Sequence, residues 1–203
     1  MRLSQAERKE KTRAGLVETA REVFLERGFH GASLDEIAER AGYSKGAVYS
    51  NFAGKDELFL AVLDANFERR LTVLRGVVLD EERLEDSYRA VGRSMVAADE
   101  GEPRWTPLLL EFWGHASRHP VLRAAVAERR ERFFTLIAEL IEELGARHGV
   151  TFTLPAKDIA RGSNALARGV ALDRLLTPGL VSADTFVEMH NAYVMGLTRF
   201  EGR

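Results

Sequence analysis

No cysteine occurs among the 203 residues. That absence removes disulfides, thiolate nucleophiles and cysteine-ligated metal centres from consideration, and it suits a reducing compartment. Also missing is any apolar run of the ~18 residues needed to cross a bilayer. The charged start, MRLSQAERKEK, lacks the apolar stretch of a signal peptide. A cytoplasmic protein with no membrane partner is expected. The chain contains no GxSxG, no phosphate-binding glycine loop and no HExxH. Enzyme chemistry thus has little to stand on, although an all-helical carboxylate enzyme is not formally excluded, and no cofactor is implied. Proline is scarce, at five residues, and no stretch alternates with period two. The expected fold class is all-α.

Lysine is scarce too. There are five, and four of them (Lys9, Lys11, Lys45 and Lys55) fall in the first 55 positions. Residues 1–13 hold five basic groups, Arg2 among them, against two acids, whereas residues 76–102 hold eight acids against three arginines. The overall charge of −2 therefore conceals a small basic N-terminal surface suited to phosphates. Ser4-Gln5-Ala6-Glu7 reads as a capping box opening a first helix, with Leu16, Ala20, Val23 and Phe24 inward and Gly28 as its stop. A second capping box, Ser33 to Glu36, opens a short helix ended by Gly42. Gly54-Lys55-Asp56-Glu57 starts a long fourth helix running to about Gly76, with acids in its positively polarised first turn. Further helical patterns lie near 82–99, 105–118, 121–147, 156–176 and 183–201.

Between the second and fourth helices lies SKGAVYSNF, Ser44 to Phe52. Ser44 is an N-cap, and helical spacing turns Ser44, Val48 and Phe52 to one side. Gly46 and Ser50 then face outward, with Lys45 and Tyr49 on one flank and Ala47 on the other. A small outward face lets the backbone approach another surface closely, and a major groove accepts a helix. The short helix, the sharp turn Gly42-Tyr43 and this second helix form a helix-turn-helix pattern, which as a bare pattern also fits a tight helical corner with a solvated face.

The wider string GFHGASLDEIAERAGYSKGAVYSNFAGKDELFLAVL, Gly28 to Leu63, closely resembles the DNA-binding domain of the TetR family of bacterial transcriptional regulators. The matching positions are Gly28-Phe29, Ile37-Ala38-x-x-Ala41-Gly42, Ser44-x-Gly46-x-x-Tyr49-x-x-Phe52 and Lys55-x-x-Leu58. The resemblance implies base or groove contacts from Lys45, Gly46 and Ala47. It implies phosphate contacts from Ser33, Tyr49, Asn51 and Lys55, and Ser44 and Ser50 complete the candidate DNA-contacting set. Tyr43 departs from the family's usual small aliphatic residue and is expected to pack under the turn or touch the DNA backbone. Gly54 replaces the more usual serine cap. The amides opening the fourth helix are expected to receive a phosphate.

The expected organisation is a helix-turn-helix DNA-binding domain at 1–54 and a helical ligand-binding and dimerisation domain at 55–203, the fourth helix joining them. The family dimerises through its last two helices, which implies a dimer seam at Ala167, Ala171, Phe186, Met189, Tyr193 and Leu197. Phe67, Tyr88, Met95, Trp105, Leu109, Phe112 and Trp113, together with Phe133 and Phe134, are either core or the apolar lining of a small-molecule site. Asn164 and Arg168, one turn apart, either orient a ligand or lie at a surface or interface. Glu111, His115 and His119 share a helical face and read as a solvated polar stripe rather than a metal site. The expected partners are double-stranded operator DNA, a second copy of the chain and a small-molecule inducer, with control by a protein partner, or no signal at all, as the alternative. The expected function is a ligand-released repressor.

Overall fold

A computed structural model describes residues 4–200; Arg2 of the basic N-terminal segment lies outside them. Among the described residues the chain forms nine helices and one short antiparallel ribbon. In order these are α1 (Gln5–Gly31), α2 (Leu34–Arg40), α3 (Lys45–Asn51), α4 (Lys55–Asp80), α5 (Leu84–Gly101), α6 (Trp105–Ser117), α7 (Pro120–His148), β1 (Val150–Phe152), α8 (Ala156–Leu176), α9 (Ala183–Leu197) and β2 (Thr198–Phe200). The all-α expectation holds apart from the ribbon. The helix expected to reach 201 ends at Leu197, because β2 turns to pair with β1, setting Val150 opposite Phe200 and Phe152 opposite Thr198. No helix among the described residues is long and apolar enough to cross a membrane.

The contacts divide the chain into two compact units. The first comprises residues up to Glu68 together with Pro107–Ala127, and the second comprises Arg69–Thr106 and the chain from Glu128 onward. The boundary expected at residue 54 therefore falls inside the first unit. The sequence pattern missed that 107–127 packs with the N-terminal helices.

In the first unit, Leu16, Ala20, Val23 and Phe24 are fully buried on one face of α1, as its apolar spacing requires. Ser4 accepts from the Glu7 amide and Glu7 accepts from the Ser4 amide, a complete capping box. At α2 only half the box forms. Ser33 accepts from the Glu36 amide, but the Glu36 carboxylate turns to Arg27 at 3.3 Å. Phe24, Phe29, Phe59 and Phe112 make an aromatic core, with Phe59 and Phe112 stacked at 4.0 Å and Phe29 edge-on to both.

Gly28 breaks α1 as expected, with φ 74° and ψ 170°, and one more turn follows before the cap at Ala32. The break leaves the amides of Phe29 and His30 pointing away from helical acceptors, and Glu111 of α6 accepts both, at 2.8 and 3.2 Å. His115 hydrogen-bonds Asp56 at 3.2 Å. The Glu111–His115 stripe is therefore packed onto α1 and α4 rather than solvated.

The second unit is built around α5 and α9, with α8 beside them. Tyr88, Leu144, Val150, Ile159 and Val194 form one buried cluster, and Val96, Val170, Phe186 and Val187 a second. The α8–α9 contact is close at Gly162, where an added Cβ would overlap the Tyr193 hydroxyl. Tyr88 passes its hydroxyl to Thr198 Oγ1 at 3.0 Å, which fixes β2 to α5.

Gly28 carries two constraints at once. Its backbone lies in a region that side chains rarely enter, and a Cβ there would meet Glu111 Oε2 at 2.7 Å. Gly28→Ala should lower unfolding stability by about 1–3 kcal/mol, measured by urea denaturation. Pairing it with Glu111→Ala should give less than the sum of the two single effects, because both act on one bracket.

Candidate functional site

The helix-turn-helix is anchored by very few large side chains. Val48 is fully buried and Phe52 is 1% exposed, so α3 sits on the first unit by its inner stripe. Tyr43 Oη rests against Gly15 of α1, so the departure from the family pattern packs the turn onto the first helix. Arg13 donates to the Asn51 carbonyl at 3.1 Å and lies 4.3 Å over the Phe52 ring, which ties the end of α3 to α1. One of the basic residues counted as phosphate-facing is thus spent on the fold, while Arg8, Lys9 and Lys11 remain exposed.

The outward side of α3 presents Lys45, Gly46, Tyr49 and Ser50 to solvent, with Ala47 half-buried. Tyr49 is 59% exposed, high for a tyrosine with an apolar ring and a polar tip. Lys45 pairs with Asp35 of α2, and the hydrogen bond to that carboxylate, then its charge, raise the lysine pKa. The pair is exposed, so it is weak and screened, and a phosphate or a guanine edge can take the ammonium from it. Ser33 and Ser44 each accept an amide from the first turn of their helix at 3.1 and 3.2 Å, which leaves the hydroxyl proton to donate outward. Ser50 donates to the Ala47 carbonyl at 2.9 Å, and Asn51 sends its amide to the same carbonyl at 2.8 Å.

One expected phosphate contact is engaged otherwise. Lys55 Nζ donates to the carbonyls of His30 and Ala32 at 3.2 and 3.0 Å and lies 4.9 Å over the Phe29 ring. It satisfies carbonyls at the end of α1 that have no helical donor. Just before α4, the Ala53 amide donates to Glu57 of that helix's first turn at 2.7 Å.

The expected ligand lining is split between the two units. Phe67, Leu109, Phe112 and Trp113 belong to the first, where Phe112 is fully buried in the aromatic core. Tyr88, Met95, Trp105, Phe134, Asn164 and Arg168 belong to the second. There Tyr88 is a core tie, and its burial raises its pKa. Met95 packs against the Val96–Phe186 cluster. Asn164 and Arg168 are half-buried on α8. Burial first, then the charges of Arg130 and Arg70, which the sequence reading passed over, lower the Arg168 pKa to about 9. No sequence motif links three arginines so far apart.

Of the six expected seam residues only Met189 is well exposed. Phe186 and Ala171 are buried, and Ala167, Tyr193 and Leu197 pack against the clusters of their own chain. Large apolar side chains on α9 were satisfied within the protomer. The small and apolar residues exposed on these helices include Ala165, Gly169, Leu172 and Leu176 on α8, and Met189, Ala192 and Gly196 on α9.

Residues 16–62 match the family model for bacterial regulatory proteins of the tetR family, and residues 84–199 match that of the BetI-type transcriptional repressor C-terminal domain. The second match alone covers more than half of the chain. The chain belongs to the TetR family. Among curated TetR-type relatives, the HTH-type transcriptional activator FasR of Mycolicibacterium smegmatis is 43% identical over 67 residues, which is 33% of this chain and 31% of that protein. Five of the first curated relatives are each matched over less than half of their own length. The HTH-type regulator UidR of Escherichia coli K12 is 24% identical over 194 residues, covering 85% of this chain and 94% of that one. Among solved structures, a transcriptional regulator of Pseudomonas aeruginosa PAO1 superposes with a TM-score of 0.70 at 25% identity, covering 96% and 92% of the two chains. The long matches span both halves, whereas the high identities are confined to short segments.

The Lys55 geometry gives a test. Lys55→Met should lower stability by about 1.5–3 kcal/mol, the usual worth of hydrogen bonds made by a charged group. At a temperature where the variant is fully folded, the salt dependence of its DNA binding should match wild type, as read by anisotropy titrations at several salt concentrations. A salt slope reduced by about one would instead return Lys55 to the phosphates.

Proposed function

We propose that this chain is a sequence-specific DNA-binding repressor that works as a homodimer and leaves its operator when a small amphipathic molecule binds its second unit. The observation that carries the reading is the outward face of α3. Lys45, Gly46, Tyr49 and Ser50 stand in solvent, backed by a stripe that only Val48 and Phe52 hold. The face is narrow and small at its centre, so the helix backbone can approach base edges while Lys45 reaches guanine acceptors and Tyr49 meets the sugar-phosphate backbone. Ser33 and Ser44 supply donors at the two helix starts, and the exposed Arg8, Lys9 and Lys11 add sequence-independent attraction.

One such module buries too little surface for a tight specific site, about 600–1,000 Å². A second module held at fixed spacing supplies the rest, so the operator should be an inverted repeat with half-sites about 34 Å apart. The outward face of α8 and α9 supports pairing there. Gly169, Ala165, Ala192 and Gly196 let two helix pairs approach closely, and Leu172, Leu176 and Met189 supply apolar area that water otherwise covers; Leu176 is 79% exposed. Release follows from differential affinity: a molecule that binds the wider-spaced dimer better shifts the population off DNA by that difference and no more.

Selection from random DNA duplexes should return an inverted repeat. Lys45→Ala should lose discrimination at one base pair per half-site by roughly tenfold, while keeping most non-specific binding. Equal affinity of wild type and variant for all selected sequences would remove α3 from the base-reading role.

Ala192→Arg tests the seam without entering the core. Two arginines would meet across a desolvated face, so light scattering should report a folded monomer with operator affinity near its non-specific level. A variant that stays dimeric and binds as before would place the seam elsewhere.

A further inference from the structure

One carboxylate stands beside the outward face of α3. Asp35 is the second residue of α2 and Lys45 the first of α3, and Lys45 Nζ lies 2.5 Å from Asp35 Oδ2. Both side chains are open to water, at 67% for the lysine and 56% for the aspartate. Other charges of α2 are matched on a different face: Glu36 meets Arg27 at 3.3 Å, and Arg40 meets Glu26 at 2.7 Å. Asp35 turns instead toward α3. An exposed pair of this kind adds little to stability, and the buried Ile37 and Val48 already seat both helices. Beside phosphates alone, a carboxylate would be repelled.

The pair sets a donor and an acceptor side by side. An ammonium has three donors, so Lys45 keeps two free while it holds Asp35, and the carboxylate keeps further lone pairs of its own. A G·C pair presents the complementary edge in the major groove: guanine N7 and O6 accept, and next to them the cytosine N4 amino group donates. O6 and N4 are hydrogen-bonded to each other, about 2.9 Å apart, which is close to the spacing of the protein pair. A lone acceptor can take the ammonium away from Asp35, but a G·C edge need not. Lys45 can meet N7 and O6 while Asp35 meets N4. The other base pairs fit less well. A T·A pair in the same orientation keeps the central acceptor and donor, but sets the thymine methyl against the ammonium and adenine N7 against the carboxylate. The C·G and A·T orientations reverse the order and set an acceptor against the carboxylate.

We propose that Asp35 is a second base-reading residue: with Lys45 it reads one G·C pair in each half-site, Lys45 on the guanine and Asp35 on the cytosine amino group. This rests on the reading of α3 as the helix that enters the major groove. It adds to that reading a contact from α2 and a named base pair.

Two base analogues separate the partners. 7-Deazaguanine lacks the N7 acceptor. N4-methylcytosine still pairs with guanine but carries a methyl in place of the amino hydrogen that faces the major groove. The full-length protein is titrated by anisotropy against the operator selected from random duplexes, whose Lys45-dependent position should be G·C, with each analogue placed there in one half-site. Wild type should lose about tenfold in affinity for either analogue. Asp35→Ala should keep its loss with 7-deazaguanine and show little further loss with N4-methylcytosine. Lys45→Ala should no longer respond to 7-deazaguanine. On a duplex without the site, Asp35→Ala should bind at least as tightly as wild type, because a negative charge has left the DNA-facing side. Asp35 is exposed, so the variant should melt close to wild type.

Wild type indifferent to N4-methylcytosine, a response to it that survives in Asp35→Ala, or a Lys45-dependent pair other than G·C would overturn the contact. Uniformly weaker binding of Asp35→Ala to every duplex would do the same, since it marks a structural support. If the response to 7-deazaguanine still depends on Lys45 in those cases, α3 remains the reading helix and only Asp35 leaves the site. If neither variant alters discrimination at any position, the contact falls together with the reading of α3.

Discussion

Where α1 breaks at Gly28, two backbone amides lose their helical acceptors, and the carboxylate of Glu111 takes both. Most of the first unit is arranged around that bracket. Phe29 is held where it meets Phe59 and Phe112, and Lys55 is drawn onto the carbonyls of His30 and Ala32 immediately after. The bracket therefore fixes the end of α1, the start of α4 and the middle of α6 in one small volume. Hydrogen bonds to an ionised acceptor are stronger than neutral ones, and an unmet buried amide is costly, so the arrangement is favoured from both sides. α2 and α3 then inherit their position from α1, through Ile37, Val48 and Phe52.

Local chemistry made the N-terminal helices legible. Ser4, Ser33 and Ser44 each cap the helix they were expected to start, Gly28 breaks the first, and of the inward stripe expected for α3, Val48 and Phe52 are buried while Ser44, the cap, stays exposed. Such features are decided within a few residues of themselves. The use of Lys55 and Arg13 was not legible, because a long cation near α3 serves the fold or an outside phosphate according to which carbonyls and rings lie within reach. Those partners, His30, Ala32 and Asn51, are set by tertiary packing. Residues 107–127 joined the first unit for the same reason: Glu111 and Phe112 find partners some 80 positions earlier in the chain or on α4.

The C-terminal helices show the complementary failure. A large apolar stripe on α9 has the same period whether it seals its own protomer or a seam between two. Phe186, Tyr193 and Leu197 went inward, Tyr193 because Gly162 leaves space for its hydroxyl. What faces outward is smaller and flatter, and composition alone gives it no emphasis. Likewise Arg168 was visible as a partner one turn from Asn164, while the influence of Arg70 and Arg130 on it follows only from how α4, α7 and α8 pack.

The attachment of α3 separates two kinds of residue. Val48 and Phe52 hold the helix, and they contribute nothing to the surface on the other side. Lys45, Gly46, Tyr49 and Ser50 make that surface, and none of them is buried in the core. Under the proposed reading of α3, mutations at the four outer positions can accumulate without loss of the native state, so a duplicated copy of this gene would be free to explore new target sequences while it keeps its scaffold. Divergence of paralogues is therefore gated by what the DNA tolerates rather than by what the protein can survive.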